Sequence, residues 1–199
     1  MQGIVSIFMP ALMGVIADRW VPAQRLLGFC HAVAATFMAI TGFIGMSKGV
    51  DVVFNDLFWT YTTSVAFYMP TLALSNSVSY TALTKAGLDT VKAFPPIRVF
   101  GTVGFVASMW FVDLTNFNDD YMQFFVSAVW GAILAIYSFT LPKCPVNRSN
   151  EKKSVWSALG FDAFKLFNKR KMAMFFIFSM LLGAALQVSN GYAFHQGLR

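Results

Sequence analysis

The sequence predicts an all-α fold, a polytopic transmembrane helix bundle of about six membrane helices. Three observations carry this. The 199 residues are 57% hydrophobic and 12% charged, with a mean hydropathy of +0.59. A globular domain carries roughly a quarter of its residues as charges, so a soluble chain of this size could not cover its surface. Apolar stretches recur along the whole length, and the loops between them alternate in charge. Lipid must therefore be part of the solvent.

The first apolar run covers residues 1–17 and is ended by Asp18 and Arg19. A signal peptide would place its positive charge before the apolar run, whereas here the charge follows. This run reads as the later part of a helix whose start is missing. The second run, about 26–46, carries no charge and is followed by Lys48 and Asp51. The third extends from Leu57 to Tyr80 and is interrupted by Pro70, which is expected to bend its helix. The fourth centres on 97–112, with Pro95 and Pro96 expected in its first turn, where missing amide donors cost little. The fifth centres on 121–141 and the sixth on 172–190.

The loops set orientation. Arg19 and Arg25 follow the first run, Lys85 and Lys92 follow the third, and eight basic residues fall in 142–171. The alternate loops are acidic or neutral: 47–56 sets Lys48 against Asp51 and Asp56, and 113–120 holds Asp113, Asp119 and Asp120 without a base. This is the positive-inside pattern, and it makes loops 18–25, 82–95 and 142–171 cytoplasmic. The expected organisation is therefore a bundle over 1–141, a basic cytoplasmic segment over 142–171, and the first helix of a further bundle over 172–199. Within 142–171, Trp156, Leu159, Phe161, Phe164 and Phe167 alternate with polar residues, as in a helix lying on the inner membrane face. An ordinary basic linker drawn to anionic lipid explains the charge equally well. The sequon at Asn147 lies on this cytoplasmic segment, where it would not be used.

Length arithmetic isolates two polar places. Arg98 and Asp113 are 15 residues apart, about 22 Å of helix, whereas the hydrocarbon core is about 30 Å thick. Asp113 precedes a polar turn and reads as the outer boundary, which draws Arg98 inside. An arginine there either faces a cavity or snorkels to the headgroups. Arg98, Thr102 and Phe105 follow i, i+4, i+7 and share one face, so a cation, a hydroxyl and a ring form a stripe suited to a polar ring compound. In the last run, Met172 to Leu186 is too short to cross, which leaves Gln187 and Asn190 at membrane depth on one face. Their amides suit a nucleobase or ribose, or hold a neighbouring helix.

Other features point away from competing functions. The net charge of +6 comes from residues scattered between apolar runs, so no nucleic-acid partner is implied. Cys30, Cys144, His31 and His195 have no metal-ligand spacing, and no cofactor or metal is implied. His31 is expected to be a packed histidine. Gly42 with Gly45, and Gly101 with Gly104, are expected to mark close helix packing. Paired carboxylates or an activated nucleophile at membrane depth, which an enzyme would need, are absent from the sequence.

The first basic loop reads Gly14-Val-Ile-Ala-Asp18-Arg19, followed by Arg25. It resembles the signature loop between helices two and three of the major facilitator superfamily, which makes the first run here family helix two and the last family helix seven. The blocks YMPTLALSNSVSY (68–80), FPPIRVFGTVGF (94–105) and FFIFSMLLGAALQVSN (175–190) are similar to the nucleoside:proton symporter family within that superfamily. The resemblance runs from about residue 3 to about 192, and the tail from Ala193 departs from it. It implies two six-helix bundles, with a nucleoside bound centrally and carried with a proton across the bacterial inner membrane by alternating access, in a protein that is monomeric when complete. The substrate contacts it carries over are Arg98, Thr102 and Phe105, with Gln187 and Asn190 on family helix seven. Gly14, Asp18, Arg19 and Arg25 form the conformational signature loop. By the same resemblance the chain is truncated at both ends and lacks the second bundle needed for function. A facilitator for another polar solute such as a sugar, and a membrane remnant without transport, stand as alternatives.

Overall fold

A computed structural model describes residues 2–117, 120–145 and 168–196. Among these the chain forms six α-helices: α1 (Gln2–Arg19), α2 (Ala23–Lys48), α3 (Phe54–Lys85), α4 (Thr90–Leu114), α5 (Met122–Ser138) and α6 (Arg170–Gln196). A 3₁₀ turn, Gly49–Asp51, follows α2. Two units result, Met1–Asn150 with α1–α5 and Glu151–Arg199 with α6, and each is described by itself. The amphipathic stretch and the sequon of 146–167 lie outside the described residues, as does Asp119.

Local chemistry fixes the helix ends. Gly87, at φ +69°, closes α3: its N–H donates to the Thr84 carbonyl and the Leu88 N–H to that of Leu83. This paired closure needs a left-handed residue just past the cap, which glycine adopts at little cost. Asn116, at φ 56°, ends α4 the same way, with its N–H to Asp113 and the Phe117 N–H to Val112. Asparagine is the other residue that tolerates this conformation.

The start of α4 differs from expectation. Asp89 caps it, its Oδ1 accepting from the Val91 N–H at 2.9 Å, so the helix begins at Thr90. Pro95 and Pro96 therefore fall in the second turn rather than the first. Their missing N–H groups leave the carbonyls of Val91 and Lys92 without the usual i→i−4 donor. Arg98 then stands eight residues, about 12 Å, above the helix start.

In the first unit α2 is the central helix and packs against α3 and α5, while α1 packs mainly on α3. The α2–α5 seam is made by small residues. A Cβ on Gly42 would meet the Phe125 ring at 3.1 Å, one on Gly45 would meet Tyr121 Cβ at 3.0 Å, and one on Gly28 would meet the Ala135 carbonyl oxygen at 3.2 Å. Close backbone approach of this kind is how helices gain dispersion contacts where lipid competes for apolar surface. Gly42 and Gly45 thus act as expected. Gly101 and Gly104 do not, because nothing lies within 4 Å of a Cβ on either.

Beside the seam, Met13 and Ala17 of α1, Leu26, Leu27 and Cys30 of α2, Leu74 and Val78 of α3, and Cys144 form the core. Ser64 of α3, fully buried, donates to the Ala34 carbonyl of α2 at 2.9 Å, a polar tie between two spans. His31 is buried in α2, as a packed histidine would be.

By length and hydropathy alone, α2 and α4 are long and apolar enough to cross a membrane, and α5 is apolar over 17 residues. The 32-residue α3 is longer but diluted by its Ser, Thr, Asn and Tyr. No residue of α4 is buried, and Phe100 and Trp110 are among its large exposed side chains.

Candidate functional site

The polar residues that dilute α3 gather on the side that meets α4. Leu72, Ser75, Asn76 and Ser79 of α3 line a groove of about 490 Å³ with Phe94, Ile97, Arg98, Gly101, Thr102 and Phe105 of α4. The expected stripe Arg98, Thr102, Phe105 is therefore brought together on one wall, where helical periodicity put it. Gly101 replaces the packing role expected of it with an open one, since a side chain there would project into the groove.

Two contacts tie the walls. The Arg98 Nη1 donates to Asn76 Oδ1 at 3.5 Å. One helical turn toward the α3–α4 connection, the Tyr80 and Phe94 rings stack with centroids 4.4 Å apart and planes inclined by 27°. Each contact steps by four residues on both helices, the antiparallel register of two facing helices. Arg98 is thus neither buried in protein nor drawn to an acid among the described residues; it is held at the groove by a neutral amide.

The chemical inventory of the groove is mixed. Arg98 offers only donors. Ser75 Oγ donates to the Leu72 carbonyl at 3.3 Å and Ser79 Oγ to the Ser75 carbonyl at 2.8 Å, which leaves both hydroxyls as acceptors. The Phe94 and Phe105 rings supply apolar faces, with Phe105 65% exposed. Ser75, Asn76 and Ser79 were not singled out by sequence reasoning. Their signal was present as the Ser-Asn-Ser-Val-Ser run inside an otherwise apolar span. Among the described residues, no three His, Cys, Asp or Glu side chains converge as a metal site would require.

Gln187 and Asn190 fall three positions apart on the continuous helical backbone of α6. Their side chains lie outside the described residues. The signature loop is assembled at the α1–α2 connection. Gly14, Asp18 and Arg19 occupy the last turns of α1, and the Arg25 N–H donates to the Pro22 carbonyl at the start of α2. Asp18 and Arg25 are exposed.

Three basic segments meet at this end of the bundle. Gln24 Oε1 accepts from the Cys144 N–H at 2.9 Å in a buried setting, and Lys85 Nζ donates to the Lys143 carbonyl at 2.5 Å. The α1–α2 loop, the end of α3 and the chain after α5 therefore lie together. Lys48 pairs with Asp56 across the α2–α3 connection.

Comparison with known proteins accounts for this arrangement. The chain is 44% identical to the xanthosine permease of Escherichia coli (strain K12) over 189 residues, 95% of this chain and 44% of the relative. It is 43% identical to the nucleoside permease NupG of the same organism over 188 residues, 94% of this chain and 43% of the relative. It thus spans less than half the length of the curated relatives it matches. The crystal structure of the D323A mutant of nucleoside transporter NupG superposes with a TM-score of 0.75 at 42% identity, covering 95% of this chain and 45% of that one. The fold is thus part of a multi-pass transporter fold. The family model described as nucleoside H+ symporter matches residues 1–196, beyond the Ala193 at which the sequence resemblance was expected to end. On the strength of that match, the chain belongs to the nucleoside H+ symporter family.

Proposed function

We propose that this chain carries one wall of a nucleoside site in a proton-coupled permease that works by alternating access. The observation that carries it is the groove between α3 and α4, where Arg98, Thr102 and Phe105 face one space. A nucleoside is a planar base joined to a polyhydroxylated ring. The Phe105 ring offers a stacking face for the base. Arg98 supplies charge-assisted donors to base carbonyls or ribose oxygens, and Thr102 supplies a hydroxyl that can donate or accept. Gln187 and Asn190, three positions apart on α6, would add amides with both donors and acceptors. Such a site rejects solutes that leave its polar groups unpaired.

In this reading 1–141 belongs to one bundle, 142–171 is a cytoplasmic linker and 172–199 opens the second bundle. The division between Asn150 and Glu151 falls inside that linker. The gathering of the α1–α2 loop, Lys85 and Lys143 at one end supports a cytoplasmic face there, in the inner membrane, by the positive-inside rule. Transport needs a second bundle to rock against the first about the central site.

The test is uptake of radiolabelled uridine and adenosine by cells lacking nucleoside permeases. These cells express the chain completed with those parts of the E. coli nucleoside permease that lie outside the match. The completed chain is expected to transport, and Arg98→Ala to reduce uptake about 10- to 100-fold, the worth of hydrogen bonds from a charged donor. Normal membrane insertion without nucleoside uptake would overturn the substrate; uptake that survives Arg98→Ala would overturn the site.

A further inference from the structure

Asn76 stands on the wall of the groove that the α4 stripe does not supply, and we infer that it is the positioning residue for Arg98. This rests on the nucleoside site proposed above and adds to it the group that sets where the guanidinium points.

An arginine eight residues into a membrane helix has a long side chain and an aqueous boundary about 12 Å away. Unrestrained, it snorkels toward the headgroups and leaves the groove. Two features oppose that. The Arg98 Nη1 donates to Asn76 Oδ1 at 3.5 Å, and the direction in which Arg98 would retreat is occupied by the stacked rings of Tyr80 and Phe94, one turn nearer the α3–α4 connection. The ring stack closes the retreat and the amide holds the head.

A carboxamide suits this task better than a carboxylate would at first sight. It fixes direction through one acceptor but leaves the charge of Arg98 unneutralised, so the guanidinium's remaining donors keep their strength for a neutral ligand. The neighbouring Ser75 and Ser79 cannot substitute for it, because their hydroxyls donate to carbonyls of their own helix. The α3–α4 contact is otherwise sparse, and Asn76 is only half-buried. Its loss is therefore expected to misplace one side chain rather than unfold the bundle.

The experiment measures concentration-dependent uridine uptake by the completed chain, normalised to the amount in the membrane. Asn76→Leu removes the acceptor, and Asn76→Ser, which matches the flanking serines and is easily accommodated, shortens it out of reach. Both are expected to raise KM about tenfold with maximal velocity within about twofold, as loss of aim at a binding cation would do. Asn76→Asp keeps an acceptor for Arg98 but has no N–H donors, and is expected to hold KM within about threefold of the parent. An unchanged KM in Asn76→Ser overturns the inference. So does an Asp variant as impaired as the Leu and Ser variants, which would mean that Asn76 donates to the substrate itself. A parent that transports no nucleoside would instead refute the nucleoside reading, so the two failures are distinguishable.

Discussion

A single methyl group added at Gly131 should weaken the bundle, whereas the same methyl at Gly104 should not. A Cβ on Gly131 would lie 3.0 Å from Ala35 Cβ, 3.5 Å from Ala35 Cα and 3.7 Å from the His31 carbonyl oxygen. Carbon atoms prefer a separation of about 3.5–4.0 Å, so the shortfall is about 0.5–1 Å. Neither Ala35 nor backbone can move aside by changing rotamer, so α2 and α5 must separate along the seam that Gly28, Gly42 and Gly45 also keep close. Overpacking of this kind costs about 1–3 kcal/mol. Against it stands the helix preference of alanine over glycine, about 1 kcal/mol at most. That gain shrinks further when the unfolded state keeps its helices, as it does in sodium dodecyl sulfate. The steric cost wins, and Gly131→Ala is expected to be destabilised by about 1–2 kcal/mol. At Gly104 nothing lies within 4 Å of the added carbon, so the propensity acts unopposed and the variant should be neutral or up to about 1 kcal/mol more stable. Unfolding of the purified chain from detergent micelles into sodium dodecyl sulfate, followed by circular dichroism or tryptophan fluorescence, measures both. Equal stability of the two alanine variants would refute the packing argument, and with it the placement of α5 on α2.

The remaining predictions probe other joints. Ser64→Ala removes the buried hydroxyl that donates to the Ala34 carbonyl at 2.9 Å. The loss should be about 0.6 kcal/mol in the same unfolding assay, typical of hydrogen bonds between membrane helices, and a larger loss would mean that the carbonyl cannot find another donor. Gln24→Leu takes away the acceptor for the Cys144 N–H and should release the chain after α5 from the bundle. Cys144, now 8% exposed, should then react with a membrane-impermeant maleimide in inside-out vesicles, while Cys30, fully buried, stays unreactive. Unchanged labelling would show that the Lys85–Lys143 contact holds that segment unaided.

Much of this fold was legible because membrane helices announce themselves residue by residue. The apolar runs gave six helices in order, and the alternating loop charges gave one end to Arg25, Lys85 and Lys143, which the Gln24–Cys144 and Lys85–Lys143 contacts bring together. Ends were less legible. Capping by Asp89 starts α4 more than a turn before the apolar run, which displaced Pro95 and Pro96 from the first turn to the second. An apolar run marks where lipid begins, but a hydrogen-bonded cap marks where the helix begins, and the two need not coincide. The glycines divide for a related reason. Gly42 and Gly45, like Gly101 and Gly104, are three apart in an apolar helix, and sequence cannot distinguish a glycine that admits a neighbouring helix from one that opens a groove. The partner decides, and only α2 has one pressed against it.

The same limit explains why half of the groove was read and half was not. Arg98, Thr102 and Phe105 lie on one helix, and their common face follows from 3.6 residues per turn without knowledge of any neighbour. Asn76 and Tyr80 obey the same periodicity on α3, but their face acquires meaning only through the register that sets Tyr80 against Phe94 and Asn76 against Arg98. That register is fixed by the tight turn at Gly87, whose left-handed backbone lets the chain reverse after Lys85 and restart at Thr90. Once reversed, four residues up α4 match four residues down α3, and any contact fixes the next. A costly arginine in an apolar span signals that some partner must exist. The turn determines which residue the partner is.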